Sequence, residues 1–450
     1  FLSPNDNQRN DMYGGSLHNR MRFLVEIVRS IKKYCGNNYP ISIKLSIDDC
    51  EPNGIRVEET VEVAKVLEKE GVSMLNLMMG THAVVYPSTG FYDINIYLSQ
   101  AKQIKDAVQI PCMVGLGVQT ASLAESILES GQGDFIALAK QEIADCNWPN
   151  KVKNNQEDDI RPCIKCLVGC TDNGIIGHHP IRCAVNPTVY KYYEDKYPQA
   201  KVVKNVAVIG AGPAGMEAAL TLVKRGHKVT VYEKRKIGGT LHEASSADYK
   251  KDIKLFINYY EKQAQKYHLN IIQEEATYDT IVNGGYDACI IATGGKPRTL
   301  DVNGLETGKV TYALNYLNGE VKFDGENALV IGGGITGAEV AVELAKEGKK
   351  VTIIEVMDQF LALPSAVIPA YQMAVEQAGV KVITGHRLDY VDHDQAIIVD
   401  RFGNKKELKA DGGIVISAGF MPQLELQEKL LIKDFFCIFI YFLNKLYIFI

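Results

Sequence analysis

Short apolar runs alternate with amphipathic stretches of helical period through the first third of the chain. Apolar runs occupy residues 41–46, 73–78, 110–114 and 134–139, and the helical patterns before them occupy 20–33, 61–70, 99–107 and 121–130. Apolar strands separated by helices are typical of a parallel sheet with both faces covered. The pattern predicts an α/β fold with four β/α units over residues 1–160.

A second α/β region begins near residue 205 and contains an internal repeat. The segment 206–215 recurs at 328–337, and each copy sets a G-x-G-x-x-G between a strand and a helix. The second strand of each copy ends in a glutamate. Such glycines let the backbone approach a pyrophosphate, and the acid binds a ribose. The repeat predicts two Rossmann-like dinucleotide sites, formed by Gly210, Gly212, Gly215 and Glu233, and by Gly332, Gly334, Gly337 and Glu355.

A segment rich in Cys, Gly and Pro, residues 161–187, separates the two regions. It contains the spacing Cys163-x2-Cys166-x3-Cys170-x12-Cys183. Zinc sites usually pair two C-x2-C knuckles, and this segment has one. Three ligands close together and one remote ligand suit a cubane, so the spacing favours a 4Fe-4S cluster over zinc. The scattered cysteines are interpreted as small apolar residues.

Composition narrows the functional classes. Hydrophobic residues make up 46% of the 450 residues, enough for substantial cores, and the net charge of −5 argues against a nucleic-acid partner. Ten cysteines are too few for a secreted disulfide scaffold of this length, and the polar residues 3–9 do not form a signal peptide. We therefore expect a cytoplasmic protein.

The start of the chain resembles the middle of an old-yellow-enzyme-type TIM barrel. The resemblance rests on Phe1-Leu-Ser-Pro4, Asn7, Arg9, Asp11, Tyr13-Gly-Gly-Ser16 and Asn19-Arg20. With the cysteines and the two nucleotide modules, it extends over about residues 1–422. It points to the three-cofactor branch, which includes 2,4-dienoyl-CoA reductase, clostridial enoate reductase and the NADH:flavin oxidoreductases of bile-acid metabolism.

This resemblance implies a domain plan. Its parts are the second half of an FMN-binding TIM (β/α)8 barrel (1–160), a 4Fe-4S loop (161–187), an FAD domain (200–300) and an NAD(P)H domain (301–422). A whole barrel takes about 250 residues. We therefore expect this chain to be a fragment, with the first half of the barrel and the family's proton-donor tyrosine lying upstream.

The resemblance also implies roles for individual residues. His82 would assist substrate protonation, and Lys44 would lie near the flavin pyrimidine. The family often has Gly-Arg at 139–140, where this chain has Ala-Lys. Glu355 would repel a 2′-phosphate and so favour NADH over NADPH. Further FMN and FAD contacts are expected at Gly115, Gly117, Ala139 and Lys140, and at Gly239.

The implied activity is NADH-dependent reduction of C=C bonds in enoyl or dienoyl carbonyl compounds, free or as CoA thioesters. Electrons would pass from NADH to FAD, to the 4Fe-4S cluster, to FMN and then to the substrate. Two alternatives stay open: an NADH oxidase or trimethylamine-dehydrogenase-like enzyme on the same scaffold, and a truncated inactive product. The sequence also leaves a homo-oligomer open.

Residues 423–450 form an atypical apolar tail. The family would have a strand carrying Gly-Asp and a final helix after Pro422. The apolar stretch is shorter than the roughly 20 residues of a membrane helix. It is also interrupted by Asn444 and Lys445. We interpret the tail as non-native sequence and not as a membrane anchor.

Overall fold

The chain folds into two compact units, Phe1–Lys165 and Cys166–Ile450. The computed structural model describes residues 1–80, 89–189, 197–431 and 437–439. The fold is α/β with parallel sheets, as the sequence predicted. In the described ranges, no helix combines the length and the apolar character that crossing a bilayer requires.

The first unit contains four β/α units. Its strands are β1 (Ser42–Ser46), β2 (Met74–Met78), β3 (Cys112–Val114) and β4 (Phe135–Ile136). Its helices are α1 (Leu17–Cys35), α2 (Val57–Lys69), α3 (Ile94–Ala107), α4 (Ala121–Glu129), α5 (Lys140–Ala144) and α6 (Trp148–Lys153). The strands form one parallel sheet in the order β1-β2-β3-β4. Each predicted strand is present, although β4 is shorter than the predicted run 134–139.

The helices of this unit pack on one face of the sheet. Leu45, Leu75 and Val114 are buried in one core with helix residues. On the other face Lys44 is exposed, and Asn76, its partner in register, is half-buried. Right-handed crossovers between sequential neighbours always place their helices on the same side. The expectation of two covered faces is therefore wrong for the described residues, and the one-sided arrangement is that of a barrel wall.

The second unit contains the two predicted modules and a smaller sheet. Its strands are β5 (Asn205–Ile209), β6 (Lys228–Tyr232), β7 (Asn270–Ile272), β8 (Ala288–Ile291), β9 (Gly295–Pro297), β10 (Val310–Tyr312), β11 (Asn327–Ile331), β12 (Lys350–Ile354), β13 (Lys381–Ile383), β14 (His386–Asp392), β15 (Gln395–Asp400), β16 (Lys405–Lys409), β17 (Ile414–Ile416), β18 (Phe420–Pro422) and β19 (Cys437–Phe439). Its α-helices are α7 (Pro213–Lys224), α8 (Leu241–Ala244), α9 (Asp252–Lys266), α10 (Tyr278–Val282), α11 (Ala313–Leu317), α12 (Ile335–Lys346), α13 (Ile368–Gln377) and α14 (Glu425–Leu431).

The strand order shows how one module is inserted into the other. The first sheet has the order β19-β8-β5-β6-β7 and the second β10-β17-β11-β12-β13. Strands β9 and β18 pair as an antiparallel ribbon, so the chain leaves the first module and returns to it at one place. The antiparallel sheet β14-β15-β16 belongs to the inserted part. Each parallel sheet contains one β-α-β unit with a glycine fingerprint, β5-α7-β6 in the first and β11-α12-β12 in the second.

Part of the predicted tail takes part in this fold. Leu430 of α14 is fully buried in a core with Ile209 and Ile291. Strand β19 pairs in parallel with β8 at the edge of the first sheet. Residues 425–431 and 437–439 thus form elements of the first module, and the interpretation of the tail as non-native sequence stays a prediction. Leu426 and Leu430 of α14 pack into the core of the first module, and β19 extends its sheet.

Candidate functional site

The first glycine loop uses each predicted glycine for a different steric reason. Gly210 has a φ of +99°, and a β-carbon there would lie 2.4 Å from the Ala292 carbonyl oxygen. A β-carbon on Gly215 would lie 1.8 Å from the Gly210 oxygen, so α7 packs tightly on β5. A β-carbon on Gly212, the N-cap of α7, would meet no described atom within 4 Å. The loop is therefore open where a pyrophosphate would approach the helix N-terminus.

The second loop repeats this geometry. Gly332 has a φ of +113°, and its β-carbon would lie 2.2 Å from the Ser417 oxygen. A β-carbon on Gly337 would lie 1.9 Å from the Gly332 oxygen, whereas one on Gly334 would find no described atom within 4 Å. Gly334 is the N-cap of α12. Two open helix N-termini of the same construction fit two dinucleotides.

The two predicted ribose-binding acids also hold their own loops together. Glu233 accepts a hydrogen bond from the Ala211 N–H (2.7 Å), and Glu355 accepts one from the Gly333 N–H (2.5 Å). The second carboxylate oxygen of each accepts from the amide two residues further on. Both side chains are only 9% exposed. Each carboxylate oxygen retains a lone pair, so a ribose hydroxyl can still bind there.

A cavity of about 160 Å³ opens beside the first glycine loop, at the carboxyl ends of β5 and β6. Its walls include Glu233, Tyr232, Thr293, Gln423 and Glu425. Burial and the hydroxyl of a neighbouring tyrosine raise the pKa of Tyr232 to about 12, so its phenol stays neutral. Sequence reasoning missed Gln423 and Glu425, because it assigned them to the tail. The predicted Gly239, in the segment between β6 and α8, lies against the first glycine loop, where its β-carbon would be 3.1 Å from the Gly212 α-carbon.

In the first unit, the predicted flavin loops lie at the carboxyl ends of neighbouring strands. A β-carbon on Gly115 would lie 2.2 Å from the Ala137 oxygen, so glycine permits the loop after β3 to approach the loop after β4. Gly117 follows with a φ of +67°. Ala139 is the N-cap of α5, which begins at Lys140. Because β3 and β4 are parallel neighbours, these four predicted residues follow strand ends at the same edge.

Two other predicted residues stand apart from this group. Lys44 is exposed on the open face of β1, which β2 and β3 separate from β4. His82 lies outside the described residues, and its implied role stays a prediction. The structure therefore brings together the loops after β3 and β4, whereas Lys44 lies on β1, the opposite edge strand of the sheet.

Tyr97 connects the ends of β2 and β3 through hydrogen bonds, and no sequence motif identifies it. Its hydroxyl donates to the Leu77 carbonyl oxygen (2.7 Å) and accepts from the Gly115 N–H (3.0 Å). The side chain is fully buried, and burial raises the pKa of Tyr97 above its ordinary value. The neutral phenol thus fixes the position of Gly115, the first residue of the predicted flavin loop after β3.

Replacing Tyr97 with Phe should lower the free energy of unfolding by about 1–3 kcal/mol, because a buried carbonyl and a buried N–H lose their partner. Urea denaturation of the purified protein measures this. Tyr34→Phe is the matched control, since Tyr34 is 80% exposed and should change stability by less than about 0.5 kcal/mol. Equal stability of the two variants would contradict the role assigned to Tyr97.

The cysteine segment has the donor chemistry of an iron–sulfur site. All four cysteines of the spacing are half-buried: Cys163, Cys166, Cys170 and Cys183. A β-carbon on Gly169 would lie 2.4 Å from the Arg182 oxygen, so Cys170 and Cys183 follow residues in backbone contact. Leu167 takes a left-handed conformation (φ 60°) that turns the chain between two cysteines. Thiolates on such a glycine-containing turn suit a cluster. Across the ranges the structure describes, however, no three Cys, His, Asp or Glu side chains are gathered in the geometry of a metal site.

The other cysteines differ in their surroundings. Cys112 and Cys289 are fully buried in strands, and burial raises the pKa of Cys112 to about 11. These two match the interpretation of small apolar residues. Cys35 and Cys146 are exposed, so that interpretation is wrong for them.

Two protein families match the chain, one for each unit. The NADH:flavin oxidoreductase / NADH oxidase family matches residues 1–159. The pyridine nucleotide-disulphide oxidoreductase family matches residues 204–434, which is more than half of the chain.

Individual proteins match across both units. An NADH oxidase of Thermoanaerobacter brockii is 36% identical over 436 residues, which cover 94% of this chain and 66% of the relative. A cinnamate reductase of Clostridium sporogenes is 31% identical over 449 residues, with the same two coverages. The structure of a 2-naphthoyl-CoA reductase with 2-naphthoyl-CoA has a TM-score of 0.89 and 29% identity, covering 97% of this chain and 67% of that one. The chain thus spans about two thirds of the length of these relatives.

Proposed function

This chain belongs to the NADH:flavin oxidoreductase / NADH oxidase family, in the three-cofactor branch of old yellow enzymes, and we propose that the full-length protein reduces C=C bonds of α,β-unsaturated carbonyl compounds with NADH. Electrons would pass from NADH to FAD, to a 4Fe-4S cluster and to FMN before they reach the alkene. The observation that carries this proposal is the similarity over both units to reductases named for cinnamate and 2-naphthoyl-CoA. The second name also supports a CoA thioester as substrate.

We assign the four cofactors to four sets of residues. The first glycine loop with Glu233 and Gly239 would hold FAD, and the second with Glu355 would hold NADH. The loops after β3 and β4, with Lys44, would hold FMN. The cluster would be bound by Cys163, Cys166, Cys170 and Cys183. When bound, these groups supply the conversion between hydride transfer and single-electron transfer.

The protein's own part is to bind, orient and discriminate. The open helix N-termini at Gly212 and Gly334 offer amides to pyrophosphates. The carboxylate of Glu355 would repel the 2′-phosphate of NADPH, which supports NADH as the donor. The ammonium group of Lys44 would stabilise negative charge on a reduced flavin.

A second candidate function is NADH oxidation by dioxygen, which the similarity to the Thermoanaerobacter brockii enzyme supports. The two functions differ in what reoxidises the reduced enzyme. Trimethylamine, added to the oxidised enzyme in place of NADH, tests whether the scaffold serves as an amine dehydrogenase, because such an enzyme would transfer electrons from the amine to its flavin.

The test starts with the full-length protein purified without oxygen, followed by counts of iron, sulfide, FMN and FAD per chain. We expect four irons and both flavins. The enzyme is then reduced with NADH, and flavin absorbance is followed after addition of cinnamate, an enoyl-CoA or air. Rapid reoxidation by an unsaturated carbonyl compound supports the reductase. Reoxidation by air alone would favour the oxidase, and zinc or a single flavin would contradict the cofactor plan.

A further inference from the structure

The segment that begins the cysteine loop is fixed to the predicted flavin loops within the first unit. The side-chain amide of Gln119, two residues after Gly117, donates to the Cys163 carbonyl oxygen. Gln141 on α5 donates to the Arg161 oxygen (2.9 Å) and accepts from the Cys163 N–H (2.9 Å). Gln119 is 6% exposed and Gln141 is 2% exposed. Buried amides that are paired in this way strongly specify one position for the segment.

A second set of contacts supports the same arrangement. The Asp145 carboxylate accepts from the Arg161 N–H (2.9 Å) and pairs with the Lys151 ammonium group (2.5 Å). The Trp148 indole N–H donates to the Gln119 carbonyl oxygen (2.8 Å). Helices α5 and α6 thus hold the backbone of residues 161–163 against the loops after β3 and β4.

These contacts place the side chain of Lys165 against the predicted flavin loop after β3. A β-carbon on Gly117 would lie 3.1 Å from Cε of Lys165 and 3.3 Å from its Nζ. The Lys165 side chain therefore lies directly against the α-carbon of Gly117, where glycine leaves the backbone uncovered. Lys165 is half-buried, and it stands between two cysteines of the predicted cluster segment.

We propose that Lys165 binds the phosphate monoester of the flavin mononucleotide held by the loops after β3 and β4. TIM barrels commonly bind phosphate at the loops after their last two strands. An ammonium group forms strong charge-assisted hydrogen bonds with a phosphate. At 139–140 this chain has Ala-Lys, which lacks the two-pronged guanidinium of Arg, and Lys165 supplies additional charge. The cysteine segment would then also complete the flavin site. This inference rests on the FMN site of the proposed function.

The test compares FMN with riboflavin, which lacks the phosphate, in the full-length protein. We expect Lys165→Met to weaken FMN binding by about 10- to 100-fold, the range for one charged hydrogen bond, and to leave riboflavin binding unchanged. Lys165→Arg should retain most of the FMN affinity. Equilibrium dialysis of flavin-depleted protein with excess FAD, followed by chromatographic separation of the flavins, gives both dissociation constants.

Controls separate this role from a structural one. Lys153→Met removes an exposed cation of α6 and should change neither constant. Iron and sulfide counts report whether the cysteine segment is intact. Equal weakening of FMN and riboflavin by Lys165→Met, or no weakening, would overturn the proposal. If the unaltered protein did not reduce alkenes, but Lys165→Met still weakened the binding of FMN and not of riboflavin, only the proposed substrate would be contradicted.

Discussion

Cys166→Ser should abolish NADH-driven alkene reduction while NADH still reduces FAD at nearly the normal rate. A hydroxyl does not supply the thiolate that binds iron. Loss of outer partners of a metal site costs 10–100-fold, so loss of a ligand should cost more than about 100-fold in turnover. The loops proposed to bind FAD and NADH are built from glycines and glutamates elsewhere in the second unit, so hydride transfer between those two cofactors should be unaffected.

Anaerobic stopped-flow absorbance measures the reduction of FAD, and steady-state alkene reduction measures the whole chain of transfers. Cys146→Ser is the matched control, because Cys146 is an exposed free thiol outside the spacing and its loss should change neither rate. Full alkene reduction by Cys166→Ser would disprove the proposed electron path. A loss of both rates would show that Cys166 is needed for the fold of the second unit.

Gly212→Ala should weaken FAD binding, and Gly334→Ala should weaken NADH binding, with little change in the folded structure of either variant. Both glycines have ordinary φ values, −68° and −80°, that alanine adopts without strain. A β-carbon at either position meets no described atom within 4 Å, so the methyl group occupies the space of the nucleotide. Crowding of about 1–3 kcal/mol weakens binding by about 10- to 100-fold.

FAD content per chain and the dissociation constant of NADH distinguish the two sites, because each variant should affect its own ligand. Gly337→Ala provides the contrast: its β-carbon would lie 1.9 Å from the Gly332 oxygen, so this variant should lose thermal stability even without nucleotide. If Gly334→Ala instead lowered the melting temperature as much as Gly337→Ala, the glycine at position 334 would be needed for stability, and the proposed opening for the nucleotide would be contradicted.

The elements and the glycine loops were predictable because their causes are local. Hydrophobic period identifies strands and helices within a few residues, and all four strands of the first unit lie where the pattern placed them. The glycine roles follow from steric rules that any strand-turn-helix of this kind obeys. The predicted strand at 134–139 was too long because backbone pairing, which the pattern does not reveal, ends β4 at Ile136.

The tail shows the opposite case. The departure from the family's pattern after Pro422 favours a non-native tail, and the sequence alone shows no partner for residues 425–431 and 437–439. Their partner is the sheet that contains β5 and β8, more than a hundred residues away. Gln423 and Glu425 likewise line a cavity with residues that are distant along the chain, so the sequence alone does not identify them.

By itself, the sequence determined the α/β class, the two nucleotide modules and the cysteine spacing, because these depend on residue type and separation along the chain. Only the tertiary structure decided that helices α1–α4 cover one face of the sheet in the first unit. It also decided that Tyr97 fixes Gly115 and that two glutamine amides bring Lys165 to Gly117. Tyrosines and glutamines are common in any chain, and they acquire a role only where folding buries them beside a distant backbone group that needs a partner.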